Sequence, residues 1–255
     1  MPPRIDIIIL SYAKDEELKE LTIQTVETLL HAEDPQKIVF DVLVIESNKA
    51  LMPYQFPGTR TIYPDSKFGF NKFLNIGIRA TSNEYLCLCN NDLIFHNGWA
   101  SALLDAMAQF NKGMTVLSPF CNDAHKNFLD LEKPTEGYFG YFAGYCFFTT
   151  RGVLRQIGPL DEKINFWYAD MDFLNVLDKH KIKHYLVPKS QVTHLVSRAT
   201  AGFTQIQQLR YTNYPHIYFQ YKWEDKNPFL YFFRLIAYGM KYTLYSFRGF
   251  FTKIS

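Results

Sequence analysis

Apolar positions in this chain alternate between short dense runs and longer stripes at helical spacing. Residues 5–10 read as a buried strand ending at Ser11-Tyr12. Residues 15–32 carry Leu18, Leu21, Thr22, Val26, Leu29 and Leu30 at helical spacing, with acids in the first turn. A second strand, 39–45, ends at Glu46-Ser47-Asn48, and a short strand near 60–63 precedes a helix over about 70–80. The run 85–89 has no alternation, which predicts a strand buried on both faces, and it stops at Asn90, Asn91 and Asp92 before apolar residues resume at Leu93. Strand, helix, strand, helix, strand predicts a parallel sheet with right-handed crossovers. Glu46 and Asp92 then lie at one edge, the carboxyl ends of the strands, where open α/β sheets bind ligands.

The pattern continues with a helix over 99–110, a strand over 115–119 and a polar, irregular segment over 121–137 that reads as a mobile loop. Residues 140–150, with Gly140 and Gly144, read as a strand passing close to a ligand or another backbone. A short helix over 151–157 stops at Gly158-Pro159. Beyond it come Leu160-Asp161-Glu162, the aromatic knot Phe166-Trp167-Tyr168, and a helix opening at Asp170-Met171-Asp172 and running to 181. Two strands, 183–187 and 191–195, close a domain expected to span 1–200, divided into halves at 1–95 and 96–200, with an extension over 201–255.

Composition narrows the classes. The chain has 255 residues, enough for a sizeable core. A net charge of +2 argues against a nucleic-acid binder working by bulk charge. The four cysteines, Cys87, Cys89, Cys121 and Cys146, lack metal-ligand spacing and read as reduced core thiols in a cytoplasmic protein. Arg4 and Asp6 interrupt any signal-peptide pattern, and no uncharged run has the length of a membrane span.

Phosphate-cradling G-x-G-x-x-G and G-x-x-x-x-G-K-[ST] loops are absent, as is G-x-S-x-G. What remains are carboxylates at strand ends and His194 at the end of a late strand. Asp92 offers a hard oxygen ligand suited to Mg²⁺ or Mn²⁺. Asp170 and Asp172 beside the aromatic knot suit either acid–base work or the first turn of their helix.

The order of these features resembles the inverting family 2 glycosyltransferases with the GT-A fold, over about residues 5–194. The resemblance implies a mostly parallel central sheet flanked by helices. Ser11 and Tyr12 match the segment at the nucleotide base, and Glu46 stands where an acid holds base or ribose. Asn75 belongs to an Asn-x-Gly that follows Gly69, and Asn90-Asn91-Asp92 matches the DxD motif with Asn for its first acid. Gly158 to Glu162 resembles an acceptor-side Gly-x-x-Asp-Glu, so Asp161, Glu162, Trp167, Tyr168 and Asp172 are assigned to the acceptor side. Ala169-Asp170-Met171-Asp172 matches the catalytic Glu-Asp-x-Asp with Ala for the first acid, which leaves Asp170 as the general base. Pro188 and His194 match a late Pro…His, so Asp92 and His194 would hold the divalent metal, Mn²⁺ or Mg²⁺. The implied reaction moves a sugar from a UDP- or dTDP-linked donor to a surface glycan or lipid-linked acceptor, with inversion. Two rivals stay open: a sugar-phosphate nucleotidyltransferase, and a binding module without catalysis, which Asn90 and Ala169 keep in view.

In the extension, Arg234, Lys241 and Arg248 recur every seven residues beside Tyr231, Tyr238 and Tyr245, opposite Phe232, Phe233, Ile236, Met240, Leu244 and Phe247. That pattern fits a helix lying in the cytoplasmic face of a membrane, or one packed on the domain or on a second subunit in a homodimer.

Overall fold

The computed structural model describes residues 1–110, 114–195 and 204–251. The first half follows the expected alternation: β1 (Arg4–Ser11), α1 (Glu16–His31), β2 (Val39–Glu46), β3 (Arg60–Ile62), α2 (Phe70–Ala80), β4 (Tyr85–Asn90) and β5 (Leu93–Phe95). The second half holds α3 (Trp99–Gln109), β6 (Thr115–Phe120), β7 (Thr135–Glu136), β8 (Cys146–Thr150), α4 (Arg151–Ile157), α5 (Ala169–Lys179) and β9 (Lys183–His194). The C-terminal part comprises α6 (Gln205–Gln208), α7 (Tyr214–Phe219) and α8 (Pro228–Phe251), with π-helical turns between α6 and α7 and after α7.

Among the described residues the strands form one nine-stranded sheet in the order β3-β2-β1-β4-β8-β6-β9-β5, with β7 paired to β9. It is parallel through β3-β2-β1-β4, and antiparallel where β8 enters between β4 and β6. Helices cover both faces, so β1 divides its side chains between two cores. Ile5, Ile7 and Ile9 pack with Val26, Leu29, Trp99 and Leu103, while Ile8 and Leu10 pack with Phe73, Leu74 and Leu177. Alternate residues of one strand point to opposite faces, which is why such a strand shows no polar side. Asp15 caps α1 by accepting from the Leu18 N–H at 2.9 Å. Gly77 lets α2 lie directly on the sheet, since a Cβ there would stand 2.5 Å from Ile8 Cγ2. The four cysteines are buried and free, and Cys87, Cys89 and Cys146 touch at 3.4–3.9 Å between sulfurs.

Three expectations change. Residues 183–194 form not two strands but the single strand β9, with a register shift opposite Pro119/Phe120 that accommodates Pro188. The strand expected over 140–150 begins only at Cys146, because Gly140 takes φ +80° and residues 138–145 turn. The segment expected to be a mobile loop is irregular but anchored. His125 is buried and accepts from the Cys121 N–H at 3.0 Å, and Phe128 lies 4.2 Å from Tyr141, ring centre to ring centre.

Candidate active site

Strands β1, β2 and β4 end level with one another, with Ser11 opposite Glu46 and Leu10 opposite Asn90. Their last residues and the first turns of α1 form one polar chain. Glu46 is 0% exposed. Its carboxylate accepts from the Ser11 hydroxyl at 2.6 Å, the Asn48 N–H at 2.5 Å and the Ala13 N–H at 3.2 Å. Ser11 Oγ lies 3.0 Å from Thr22 Oγ1, which also accepts from the Asn91 amide at 2.8 Å. Thr25 donates to the Asn91 carbonyl at 2.8 Å and accepts from the Leu93 N–H at 3.0 Å. Tyr12, next to this chain, is exposed.

Glu46 therefore clips the ends of β1 and β2 together, with its oxygens engaged by the chain itself. Asn75 is similarly engaged. Its amide donates to the Leu160 carbonyl at 2.8 Å and to Glu162 at 3.2 Å, and it accepts from the Leu160 N–H at 3.0 Å. It is buried and ties α2 to the segment after α4. Of the residues assigned to the donor, Tyr12, Asn90 and Asn91 keep exposed surface.

Asp92 and His194 come together as expected. The antiparallel pairing of β5 with β9 sets Leu93 opposite His194, and the Leu195 N–H donates to the Asp92 carbonyl at 2.8 Å. Asp92 Oδ2 lies 3.2 Å from His194 Nε2. The Asp92 side chain is 1% exposed and that of His194 is 23% exposed, so the pair lies at the rim of the site. Tyr145, which sequence reasoning missed, stacks on the His194 ring at 4.2 Å and 14°. The only signal for it was Gly144 just before it.

The two aspartates of α5 part company. Residues two apart on a helix are separated by about 200°. Asp170 is exposed and lies against Gly144, where an added Cβ would stand 2.9 Å from Asp170 Cβ. Asn71, Phe142, Leu160 and Phe173 complete the hollow around it. Asp172 is buried on the other side, where its Oδ1 accepts from Trp223 Nε1 at 2.6 Å and meets Lys222 Nζ at 2.8 Å. Lys222 also reaches Asp161 Oδ2 at 2.8 Å, and Tyr218 donates to the same oxygen at 3.0 Å. Burial pushes the Asp172 carboxyl above its ordinary pKa, although Lys222 and Trp223 oppose it. Partial burial also raises Asp161, but Lys222, the Lys163 N–H and Tyr218 outweigh it and leave the pKa below its ordinary value. Beside this cluster a cavity of about 340 Å³ runs along α5 between Asp161, Lys222, Trp223 and His180.

Lys222, Trp223 and Tyr218 also escaped the sequence reading, because they lie in the extension. Residues 204–224 pack onto the domain: Phe219 shares a core with Ile164 and Ala169, Tyr168 stacks on His216, and the Trp167 N–H donates to the Tyr211 carbonyl. Phe166 is enclosed by Phe68, Phe70 and Tyr211, while Trp167 remains 51% exposed and Glu162 is exposed beside it.

A family model described as glycosyl transferase family 2 matches residues 7–160. No curated protein matches the chain. Among solved structures, GalNAc-T7 with UDP, GalNAc and Mn²⁺ is similar at 13% identity and a TM-score of 0.63, covering 86% of this chain and 50% of that one. Mannosyltransferase PcManGT from Pyrobaculum calidifontis, in complex with GDP-Man and Mn²⁺, is similar at 12% identity and a TM-score of 0.59, covering 96% and 74%. S. aureus TarS 1-349 is similar at 9% identity and a TM-score of 0.58, covering 89% and 74%. The chain thus spans half the length of the GalNAc-T7 chain. At these identities the likeness is one of fold.

Proposed function

The chain belongs to glycosyl transferase family 2, and from that premise we propose that it transfers a sugar from a nucleoside-diphosphate donor to a hydroxyl of a glycan or lipid-linked acceptor, with inversion. The observation that carries this reading is the meeting of Asp92 and His194 at 3.2 Å beside the ends of the central strands, on the side toward which Tyr145 and Gly144 lead to Asp170.

One carboxylate oxygen and one imidazole nitrogen at this separation suit a single divalent ion, and the mixed oxygen–nitrogen set fits Mn²⁺ better than Mg²⁺. Such a cation, when bound, offsets the negative charge that develops on a departing diphosphate. Asp92 and His194 would hold it. Asn90, Asn91 and Tyr12 line the donor side, and the chain from Glu46 through Ser11 and Thr22 to Asn91 keeps that side in shape. Asp170, exposed and without an ion-pair partner among the described residues, accepts the proton of the acceptor hydroxyl as its oxygen attacks the anomeric carbon. The bond to the diphosphate breaks on the opposite side and its electron pair leaves with the phosphate, so the configuration inverts. Exposed Trp167 offers a flat apolar face for an acceptor sugar.

A membrane surface as the place of work has its own support. Helix α8 turns Tyr231 and Tyr238 toward Tyr218, Tyr221 and Tyr214 of the domain, and Arg234 pairs with Asp225 at 2.5 Å. Its other face is bare: Phe229 is 77% exposed and Met240 64%, with Phe232, Phe233, Ile236 and Leu244 beside them. Lys241 is exposed on the flank, while the side chains of Phe247 and Arg248, and Lys253, lie outside the described residues. A helix with a bare apolar face, a cationic flank and no acid suits anionic lipid. Among the described residues no helix is long and apolar enough to cross a membrane.

The test is a thermal-shift screen of UDP-, dTDP- and GDP-linked sugars with Mn²⁺, followed by NMR of the product's anomeric configuration. Stabilisation by one sugar nucleotide and an inverted product support the reading. A retained configuration removes the single-displacement mechanism, and donor binding without turnover on any acceptor favours a binding module.

A further inference from the structure

Tyr145 stands where three strand ends converge. Its carbonyl accepts the Asn90 N–H at 2.8 Å, which ties the start of β8 to the end of β4 just before Asp92. Its ring lies almost parallel to that of His194, with centroids 4.2 Å apart. The neighbouring Ala143 N–H donates to Ser118 Oγ at 3.1 Å, so the loop that carries Tyr145 is pinned to β6. An imidazole at the end of a strand can rotate about its side-chain bonds, and a flat ring packed against one face removes most of that freedom. We propose that Tyr145 is a positioning residue for the divalent-cation site, holding the His194 ring so that Nε2 stays aimed beside Asp92. The proposal rests on the reading that Asp92 and His194 hold a cation.

The work is done by the ring plane, so Tyr145→Phe keeps it and Tyr145→Leu removes it. The readout is Mn²⁺ affinity, measured by water-proton relaxation with the metal as the only ligand, beside the unfolding midpoint of each metal-free variant. We expect Tyr145→Leu to weaken Mn²⁺ binding by about 10-fold or more, the scale seen when partners behind a metal ligand are removed. Tyr145→Phe should bind like wild type. In a His194→Ala background, Tyr145→Leu should cost no further affinity, whereas a general loosening of the fold would still show there. Tyr145→Met, whose flexible side chain adapts to an irregular gap without supplying a plane, replaces Leu if that variant does not fold. Wild-type affinity in Tyr145→Leu or Tyr145→Met, with binding still abolished by Asp92→Asn, overturns the proposal alone. No Mn²⁺ binding by the wild-type protein overturns the cation site and the proposal together.

Discussion

At the scale of single residues, two aspartates one helical half-turn apart illustrate how position decides chemistry. Asp170 projects into the hollow beside Gly144, and Asp172 is enclosed by Lys222 and Trp223. Asp170→Asn should therefore bind donor and metal normally and lose roughly 10²–10⁴ in turnover, measured by product formation at saturating substrate. Asp172→Asn should act on stability instead. Lys222 keeps Asp161, and an Asn oxygen can still accept from Trp223. The charge removed is one that burial already disfavours, so the expected cost is about 1 kcal/mol or less, read as a small shift in the unfolding midpoint. The sequence made Asp170, Asp92 and His194 legible as candidates, because each is a titratable side chain at the end or start of an element. For Asp170 the first turn of α5 supplies a structural reason as well. Glu46 and Asn75 looked alike in type, yet their partners are backbone groups of loops that no spacing rule reveals. Lys222 and Tyr145 left no signal of their own, since each acquires meaning only from residues 49 or more positions away.

At the scale of elements, strands and helices were legible wherever a core face imposed its period, and misread where side chains override it. The turn over 138–145 is held by one such device. His184 lies buried in β9, donates from Nδ1 to the Gly137 carbonyl, and accepts at Nε2 from Ser118, which in turn takes the Ala143 N–H. Burial, together with nearby His125, lowers its pKa to about 4 despite the Gly137 bond. The folded imidazole thus resists protonation that the unfolded chain accepts near pH 6.5. Stability from this group is intact above that pH and falls as pH drops toward 4, by up to about 1.4 kcal/mol for each pH unit. Chemical unfolding of the wild type at pH 7, 6, 5 and 4 should show that slope, and His184→Gln should flatten it while losing stability at pH 7. Equal slopes in both proteins would assign the acid sensitivity elsewhere.

At the scale of the whole molecule, the C-terminal extension has two parts with different partners. Residues 204–224 pack against α5 and the segment before it through Phe219, Lys222 and Trp223. Helix α8 rests on this segment through its tyrosines and turns its phenylalanines outward. Phe232→Ser with Phe233→Ser should leave the unfolding midpoint within about a degree, since both side chains are exposed, and should abolish co-sedimentation with anionic vesicles. Undiminished sedimentation would point to another surface, and a dimer that dissociates in this variant would make a second copy the partner of α8. At the strand ends, the junction of Asp92 with His194 is where a cation and the donor would meet. This assignment is tested most directly by calorimetric titration of the protein with UDP, GDP and dTDP, each with and without Mn²⁺, for the wild type, Asp92→Asn and His194→Ala. One nucleotide should bind tightly only with Mn²⁺, and at least about 10-fold more weakly in either variant. Nucleotide binding that is indifferent to both Mn²⁺ and the two substitutions would contradict the assignment.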